Sequence, residues 1–497
     1  MATSTTPQAP LGKEISVAIL GGGIAGLSTA LALARQGFQD ITVYEAAKAM
    51  GEVGAGINIT INLARIMERM GCLDYARDRA VALEQYKVLE SENDEQLTHV
   101  NLDYLQKDFG YPFLVVHRRD LQGAILKGCQ SLPDQIKFRL HTALLEVEYT
   151  PTPEGKTRFK IKRNVAPPTD PESVKASVNQ KAQDEDLNRE EVWLEADLVI
   201  SADGIRSVAR RGMLKKLGEE DHIEDTGQAA YRILVHREQV LDDPELLELM
   251  DGKTSYRWIG EGRHIISYPI ANNTIFNMST AHPDTHFTSE PTSTWTSSNG
   301  SKEDLLDTFK TFCPRVQKLL KLVPAGNVLE WRLRVHLPLK TWVDGNVCLT
   351  GDAAHSTLPH LAQGAAQAAE DAAVLAVVMS KISKKEDIHK ALKVYETMRK
   401  SRAEYAVAQA QANGKGLQLS GGADREARDK KFKEADSKGG ANPDKQVDKY
   451  VISATFFKSA DADQRAFAMN RDLQKFLYGV DIAAETEQKF DEIFAGL

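Results

Sequence analysis

The sequence predicts an α/β protein: an open parallel sheet, an antiparallel sheet inserted into it, and a helical region at the end of the chain. Three observations predict this. Residues 15–20 read as a buried strand that runs through a glycine turn into a helical stretch, 25–36, and on to a second strand, 41–44. From about residue 219 to residue 331 that rhythm gives way to short alternating runs separated by turns. A β-branched and apolar run, Val347, Cys348, Leu349 and Thr350, then breaks at Gly351-Asp352. Beyond it a loop with His355, Pro359 and His360 leads into an alanine-rich helical segment ending near Met379.

The first unit carries the strongest local pattern. Gly21, Gly23 and Gly26 form G-x-G-x-x-G between strand and helix, and Gly37 is placed to end that helix. The second strand finishes on Glu45. Glycines there allow a tight turn, the approach of backbone to a pyrophosphate, and close packing of helix on strand. The helix N-terminus faces phosphate, and a carboxylate at the second strand's end accepts from ribose hydroxyls. Strand, helix, second strand and acid in register predict a dinucleotide site, and Glu45 in place of a basic residue favours a free 2′-hydroxyl.

Further along, 51–59 is another glycine-rich loop, followed by a helix over 62–70, and His117-Arg118-Arg119-Asp120 opens an amphipathic helix. Residues 157–163 alternate as a strand. The stretch 164–191 is polar and poor in large apolar residues, which reads as a mobile surface insertion. Strands at 192–194 and 197–200 resume the sheet and end on Ala202-Asp203-Gly204, a turn or a ligand contact. In the second unit the expected strands are 228–236, 254–259, 263–268 and 274–279, and Ser301 to Asp304 resembles a capping box. Residues 332–339 are expected to return the chain to the first unit. A long helix is expected over 386–413, a loose stretch or solvated helix over 414–450, and a Leu477-Tyr478-Gly479-Val480-Asp481 turn before a closing helix. The units are therefore 14–218, with the insertion at 164–191; 219–331; 332–385; and 386–497.

Composition sets bounds. With 42% hydrophobic and 27% charged residues, the chain has the balance of a folded globular protein rather than a disordered or membrane one. A net charge of −8 and the lack of a long basic block argue against a nucleic-acid partner. No run is long and apolar enough to span a bilayer, and the N-terminal residues lack signal-peptide character, so the expected location is the cytoplasm. Cys72, Cys129, Cys313 and Cys348 are scattered, which predicts free thiols and no metal site.

Three separated motifs occur in one order: GxGxxG with its acid, Ala202-Asp203-Gly204, and Gly351-Asp352-Ala353-Ala354-His355. Together they resemble the class A flavoprotein aromatic hydroxylases, and more closely the salicylate hydroxylase-like branch. Gly54–Ile57 (GAGI), Tyr268-Pro269 with Asn277, Leu358-Pro359, Ala362 to Ala366, Glu370-Asp371, Tyr395-Glu396, Arg399 and Arg402-Ala403 match too. The resemblance spans most of 14–410. It implies a Rossmann-like FAD-binding domain, FAD as cofactor, NADH or NADPH as co-substrate, O2, and hydroxylation of a small phenolic aromatic compound through a flavin C4a-hydroperoxide. Oxidative decarboxylation follows where the carboxylate sits at the attacked carbon. By position, Gly21, Gly23 and Gly26 would hold the pyrophosphate, Glu45 the adenosine ribose, and Arg118 the ribityl–phosphate region. Asp352 would hold the ribityl chain, Asp203 would bear on both FAD and nicotinamide use, and Pro359 through Gly364 and Ala365 would run along the isoalloxazine. A helix starting near Gly364 would aim its N–H groups at the reduced flavin's anionic edge.

The chain departs from the family near Ile61, where proline is common, and at His360, where an aromatic residue is common. His360 is then either a pocket residue with acid/base potential or a surface variant. Candidates for activating a phenol are His360, Tyr231 and Tyr268, and Arg232 would pair with a substrate carboxylate. His236, His264 and His336 read as structural, and His355 as a brace for its loop. A reductase, oxidase or halogenase on the same scaffold, or a non-catalytic flavin-bearing protein, are the alternatives. No W-x-W-x-I-P stretch of the tryptophan-halogenase kind occurs. Oligomeric state is open.

Overall fold

The computed structural model describes residues 10–51, 54–152, 155–164, 189–287, 296–297, 301–326, 328–437 and 471–497. Its first sheet is seated on the strand Ser16–Leu20, which pairs in parallel with Asp40–Tyr44 on one side and Leu198–Ser201 on the other. Ile136–Arg139 and Val347–Leu349 extend the two edges in parallel, and Val343–Asp344 adds a short antiparallel hairpin. Val17, Ile19, Ile41, Val43, Leu198 and Ile200 are buried in these strands, as expected where helices cover both faces of a parallel sheet. The helix Ile24–Arg35 and the alanine-rich helix Gly364–Lys381 both bury nearly all their residues. Their small side chains let them pack closely. Gly351, at φ +57°, sits where a Cβ would stand 2.7 Å from the Ala25 methyl, so the second strand–helix junction is pressed against the first.

The second sheet has eight strands in the order Thr296–Ser297, Glu330–His336, Ile223–His236, Ile275–Pro283, Arg263–Ile270, Thr254–Gly260, Gln85–Glu90 and Gln96–Asn101. Three expectations are corrected here. Residues 85–101, assigned by the sequence to the unit 14–218, supply two strands of this sheet. One of them pairs in parallel with Thr254–Gly260, so the sheet is mixed rather than wholly antiparallel. Glu330–His336 pairs with Ile223–His236 instead of returning at once to the first unit. Alternation reveals that a segment is a strand but not which strand it joins.

One face of this sheet packs on the helices Pro244–Asp251, Lys302–Thr308 and Pro314–Lys321 around Trp258, Phe276, Phe309 and Leu319. Residues of the opposite face, including Tyr268 and Ile270, pack with Leu83, Leu105, Leu361, Phe476 and Tyr478. The insertion expected at 164–191 is shorter at both ends. Asn164 ends the strand Thr157–Asn164 and Arg189–Glu191 begin Arg189–Ala196, in a three-stranded antiparallel sheet with Thr142–Glu148; 165–188 lie outside the described residues. The long helix runs Ile388–Leu417, past its expected end, and a further helix spans Ala423–Ser437. Residues 438–450 lie outside the described residues. Arg471–Tyr478 and Ile482–Gly496 are helical on either side of the LYGVD turn. Among the described residues no helix is long and apolar enough to cross a membrane.

Candidate active site

Gly21 adopts φ +112°, and a Cβ there would collide with the Ala202 carbonyl; a Cβ on Gly26 would collide with the Gly21 carbonyl. Gly23, the N-cap of Ile24–Arg35, faces open space instead. The buried Gln122 side chain donates to the Gly22 carbonyl at 3.1 Å and braces the turn. The Glu45 carboxylate accepts from the Gly22 N–H at 2.6 Å and the Ala47 N–H at 2.7 Å, beside the open cradle. Arg118 opens the helix Arg118–Gln130 and packs on Gly54, where a Cβ would meet its own Cβ at 2.8 Å. Asp203 is committed locally. It accepts from the N–H groups of Val208 at 2.7 Å and Ala209 at 3.3 Å and from the Ser201 hydroxyl at 2.5 Å, tying down the start of Val208–Leu217. Asp352 is exposed at the first position of the single turn Asp352–His355.

The Gly351-Asp352 junction is shaped by a buried charge network behind it. Asp371 accepts from the Gly351 N–H at 2.9 Å, from His355 Nε2 at 2.6 Å and from Arg399 Nε at 2.8 Å. Glu370 accepts from Asn62 at 2.8 Å, Arg399 at 2.6 Å and Arg402 at 2.7 Å. Burial alone would raise both carboxyl pKa values. Arg402 and Arg399 around Glu370, and His355 with Arg399 around Asp371, reverse this and hold each at about 2. Arg402 also donates to the carbonyls of Phe476 at 2.6 Å and Leu477 at 3.0 Å, clamping the helix Arg471–Tyr478 to the same centre.

Beyond this junction lies a cavity of about 720 Å³ of non-atom space, its solvent mouth included. Pro359 and His360 form part of its wall. Leu83, Tyr86, Phe113 and Ile266 give it an aromatic and apolar lining, while Arg257, Asn58 and Asn413 are among its polar groups. His360 is 4% exposed. Its Nε2 lies 3.3 Å from Gln228 Oε1, which makes that nitrogen the N–H donor; its carbonyl accepts from Asn413 at 2.8 Å; and its ring meets the His264 ring edge-on at 5.4 Å. Burial, and then the Arg257 guanidinium, push the His360 imidazole down to about 3, so it is neutral. His264 is driven well below its ordinary value by burial and the same arginine.

Of the residues expected to act on substrate, the structure brings Pro359 and His360 to the cavity. Tyr231 is a correction. It points to the opposite face of its strand, fully buried, stacked on His282 at 4.6 Å, with its hydroxyl 3.2 Å from His286 Nδ1. Two-residue alternation puts it there with Ile233 and Val235, while Arg232 and Leu234 face the other way. Arg232 is exposed over the Trp331 ring at 5.3 Å and is not part of the cavity lining. Tyr268 also lies outside the lining, packed on Gly56, whose N–H donates to Asn277 at 2.6 Å. Sequence reasoning missed Arg257, Tyr86, Gln122, Gln228 and Asn413; none sits in a motif, and Arg257 reads as an ordinary strand residue. It also missed a close group, His282, His286 and Glu330, whose ligand-type atoms lie within 4.8 Å of one another. Here the Glu330 carboxylate accepts from His282 at 2.8 Å and from His286 at 3.0 Å.

A glycine cradle, an acid at the second strand, an acid at the Gly351 junction and an aromatic-lined cavity define the class: a flavin-dependent aromatic hydroxylase fold. A model of the FAD binding domain family matches residues 14–410, and the chain belongs to that family. It is 30% identical to the FAD-dependent monooxygenase ntnJ of Nectria sp over 79% of this chain and 82% of that one. It is 28% identical to 3-hydroxybenzoate 6-hydroxylase of Klebsiella oxytoca over 78% of this chain and 85% of that one. The structure of Klebsiella pneumoniae HpxO with FAD and uric acid is similar at a TM-score of 0.66 and 25% identity, covering 85% of this chain and 94% of that one. The chain is thus a flavoprotein monooxygenase of the aromatic-hydroxylase type. The residues present fit FAD: the glycine turn Gly21–Gly23, open at Gly23, matches a pyrophosphate, no side chain among the described residues caps the start of Gly364–Lys381, and the buried Gln363 Nε2 beside it has no hydrogen-bond partner among them.

Proposed function

We propose that this chain uses NADH or NADPH and O2 to hydroxylate a phenolic aromatic compound of the hydroxybenzoate or salicylate kind. The observation that carries this is the cavity at Pro359–His360, with aromatic and apolar walls, a buried guanidinium and a neutral imidazole, whose wall stretch Pro359–Ala362 leads along the chain into the helix Gly364–Lys381. Bound FAD supplies the transfer of electrons from nicotinamide to O2 and hence the oxygen atom that reaches the ring.

This chain's residues supply the rest. The N–H groups of the Gly21–Gly26 turn would take phosphate, Glu45 would take ribose hydroxyls, and Arg118 and Asp352 would hold the polar chain of the cofactor. The helix start at Gly364 and Ala365 offers N–H donors and a positive dipole end to negative charge on the bound cofactor. Leu83, Phe113, Ile266 and Leu361 keep water from the reacting ring. His360, with Nε2–H turned to Gln228, keeps Nδ1 as an acceptor for a phenolic hydroxyl. An imidazole held at about 3 is too weak a base to take the proton of a phenol, which ionises near 10, so its part is to accept a hydrogen bond. A cytoplasmic place of action is supported by the need for reduced nicotinamide and by four buried free cysteines.

The test is product analysis on FAD-loaded protein supplied with NADH or NADPH and a panel of hydroxybenzoates. The expected result is nicotinamide oxidation stimulated by one of these acids, with a ring-hydroxylated product. A protein that takes up no FAD overturns the proposal.

A further inference from the structure

We propose that Arg257 is the specificity-determining anchor of the cavity, holding an anionic oxygen conjugated to the substrate's planar ring. This rests on the hydroxylase reading above and deepens it.

Arg257 lies on the strand Thr254–Gly260, where Tyr256 and Trp258 point into the core behind the sheet. Alternation therefore turns Ser255 and Arg257 to the cavity, whose wall includes both. The side chain is 6% exposed, and its Nε has no hydrogen-bond partner among the described residues. No carboxylate among them forms an ion pair with it. Every other deeply buried guanidinium near the site is matched: Arg210 by Asp221, Arg399 by Glu370 and Asp371, Arg402 by Glu370. Around Arg257 stand the Tyr86 phenol, whose ring centre lies 5.7 Å from the guanidinium carbon and whose hydroxyl hydrogen-bonds with it, Tyr268 within electrostatic reach, and His264 and His360, which burial and its charge keep neutral. A buried cation without an anion is costly to keep, and a ligand anion removes that cost. The Tyr86 ring holds the guanidinium at a fixed place, so its fork presents donors to an oxygen pair or an enolate oxygen. An anion there would also offset the charge bearing on His360, whose acceptor nitrogen serves the same ligand's hydroxyl.

Arg232, expected from the sequence to take a carboxylate, is the competing anchor. It is exposed and stacked on Trp331.

The experiment measures ligand affinity by perturbation of flavin absorbance in FAD-loaded full-length protein. The probes are salicylate and 3-hydroxybenzoate, their methyl esters, and 4-hydroxy-6-methyl-2-pyrone, which offers an enolate without a carboxylate. Wild type should bind the anions at least tenfold tighter than the esters, and the pyrone arm tells a carboxylate site from an enolate site. Arg257→Gln should erase that preference, Arg257→Lys should keep part of it, and both should retain FAD. If Arg257→Gln does not accumulate as folded holoprotein, Arg257→Lys carries the test, its expected result being a several-fold smaller preference. A preference unchanged in the Arg257 variants, one abolished by Arg232→Gln alone, or none in wild type overturns the proposal. Product analysis separates the two claims: hydroxylation without anion preference leaves the hydroxylase reading standing and removes this one. Anion binding that depends on Arg257 without any hydroxylated product does the reverse.

Discussion

His360 fits where it does because the helix beside it has no side chain at one position. A Cβ on Gly414 would collide with the His360 ring, and the neighbouring Asn413 holds the His360 carbonyl. Gly414→Ala is therefore expected to displace the imidazole. The amount of hydroxylated product per nicotinamide oxidised should fall severalfold, while FAD content stays at the wild-type level; unchanged coupling would count against His360 as a cavity acceptor. The two acids carried over by family resemblance should part company. Asp352 is exposed and has no hydrogen-bond or ion-pair partner among the described residues, so Asp352→Ala should weaken FAD retention, read as flavin lost on dialysis. Asp203 is spent on the start of Val208–Leu217, so Asp203→Ala should cost about 1 kcal/mol in urea unfolding, as loss of an N-terminal cap does. These differences are invisible in sequence, where both residues are an acid beside a glycine at a strand end.

The alanine-rich helix Gly364–Lys381 ties the two ends of the molecule together through Glu370 and Asp371. Removing the charge with Glu370→Gln leaves Arg399 and Arg402 buried with one acid fewer, and the expected loss is about 3 kcal/mol of unfolding free energy. The same pair sets a pH dependence. Both carboxyls sit at about 2 in the folded chain, below the roughly 4 of an unfolded one. A depressed carboxyl stabilises the fold above its unfolded value, and that contribution is lost as pH falls from about 5 toward 2. Urea midpoints should drop over this range, with a shallower drop in Glu370→Gln; parallel profiles for the two proteins would contradict the assignment. The sequence marks Glu370-Asp371, Arg399 and Arg402 as matches to a family without showing that they meet. They lie about one helix apart in the chain, and only the packing of Ile388–Leu417 on Gly364–Lys381 brings them into one network.

At the scale of the molecule, the cavity is assembled from distant stretches: strands and loops near 83–113, the strand Thr254–Gly260, the turn Pro359–Ala362, and the helices holding Asn413 and Tyr478. The cofactor half of the site was legible because a pyrophosphate imposes residue identities at fixed spacing, and Gly21 and Gly26 have no room for any other residue. The substrate half was not. Tyr231 and Arg232 drew notice as a pair, yet alternation sends one to each face, and burial makes Arg257 significant while leaving no trace in the local pattern. Strands 85–101 were misassigned for a related reason, since sheet partners are chosen by packing across the whole chain. Delivery of oxygen to a phenolic ring in this cavity is the central proposed event. The most direct measurement is mass-spectrometric analysis of product made under 18O2 by the FAD-loaded enzyme with reduced nicotinamide and hydroxybenzoate substrates. One 18O per molecule of ring-hydroxylated product is the predicted result; hydrogen peroxide alone, across the whole panel, would contradict it.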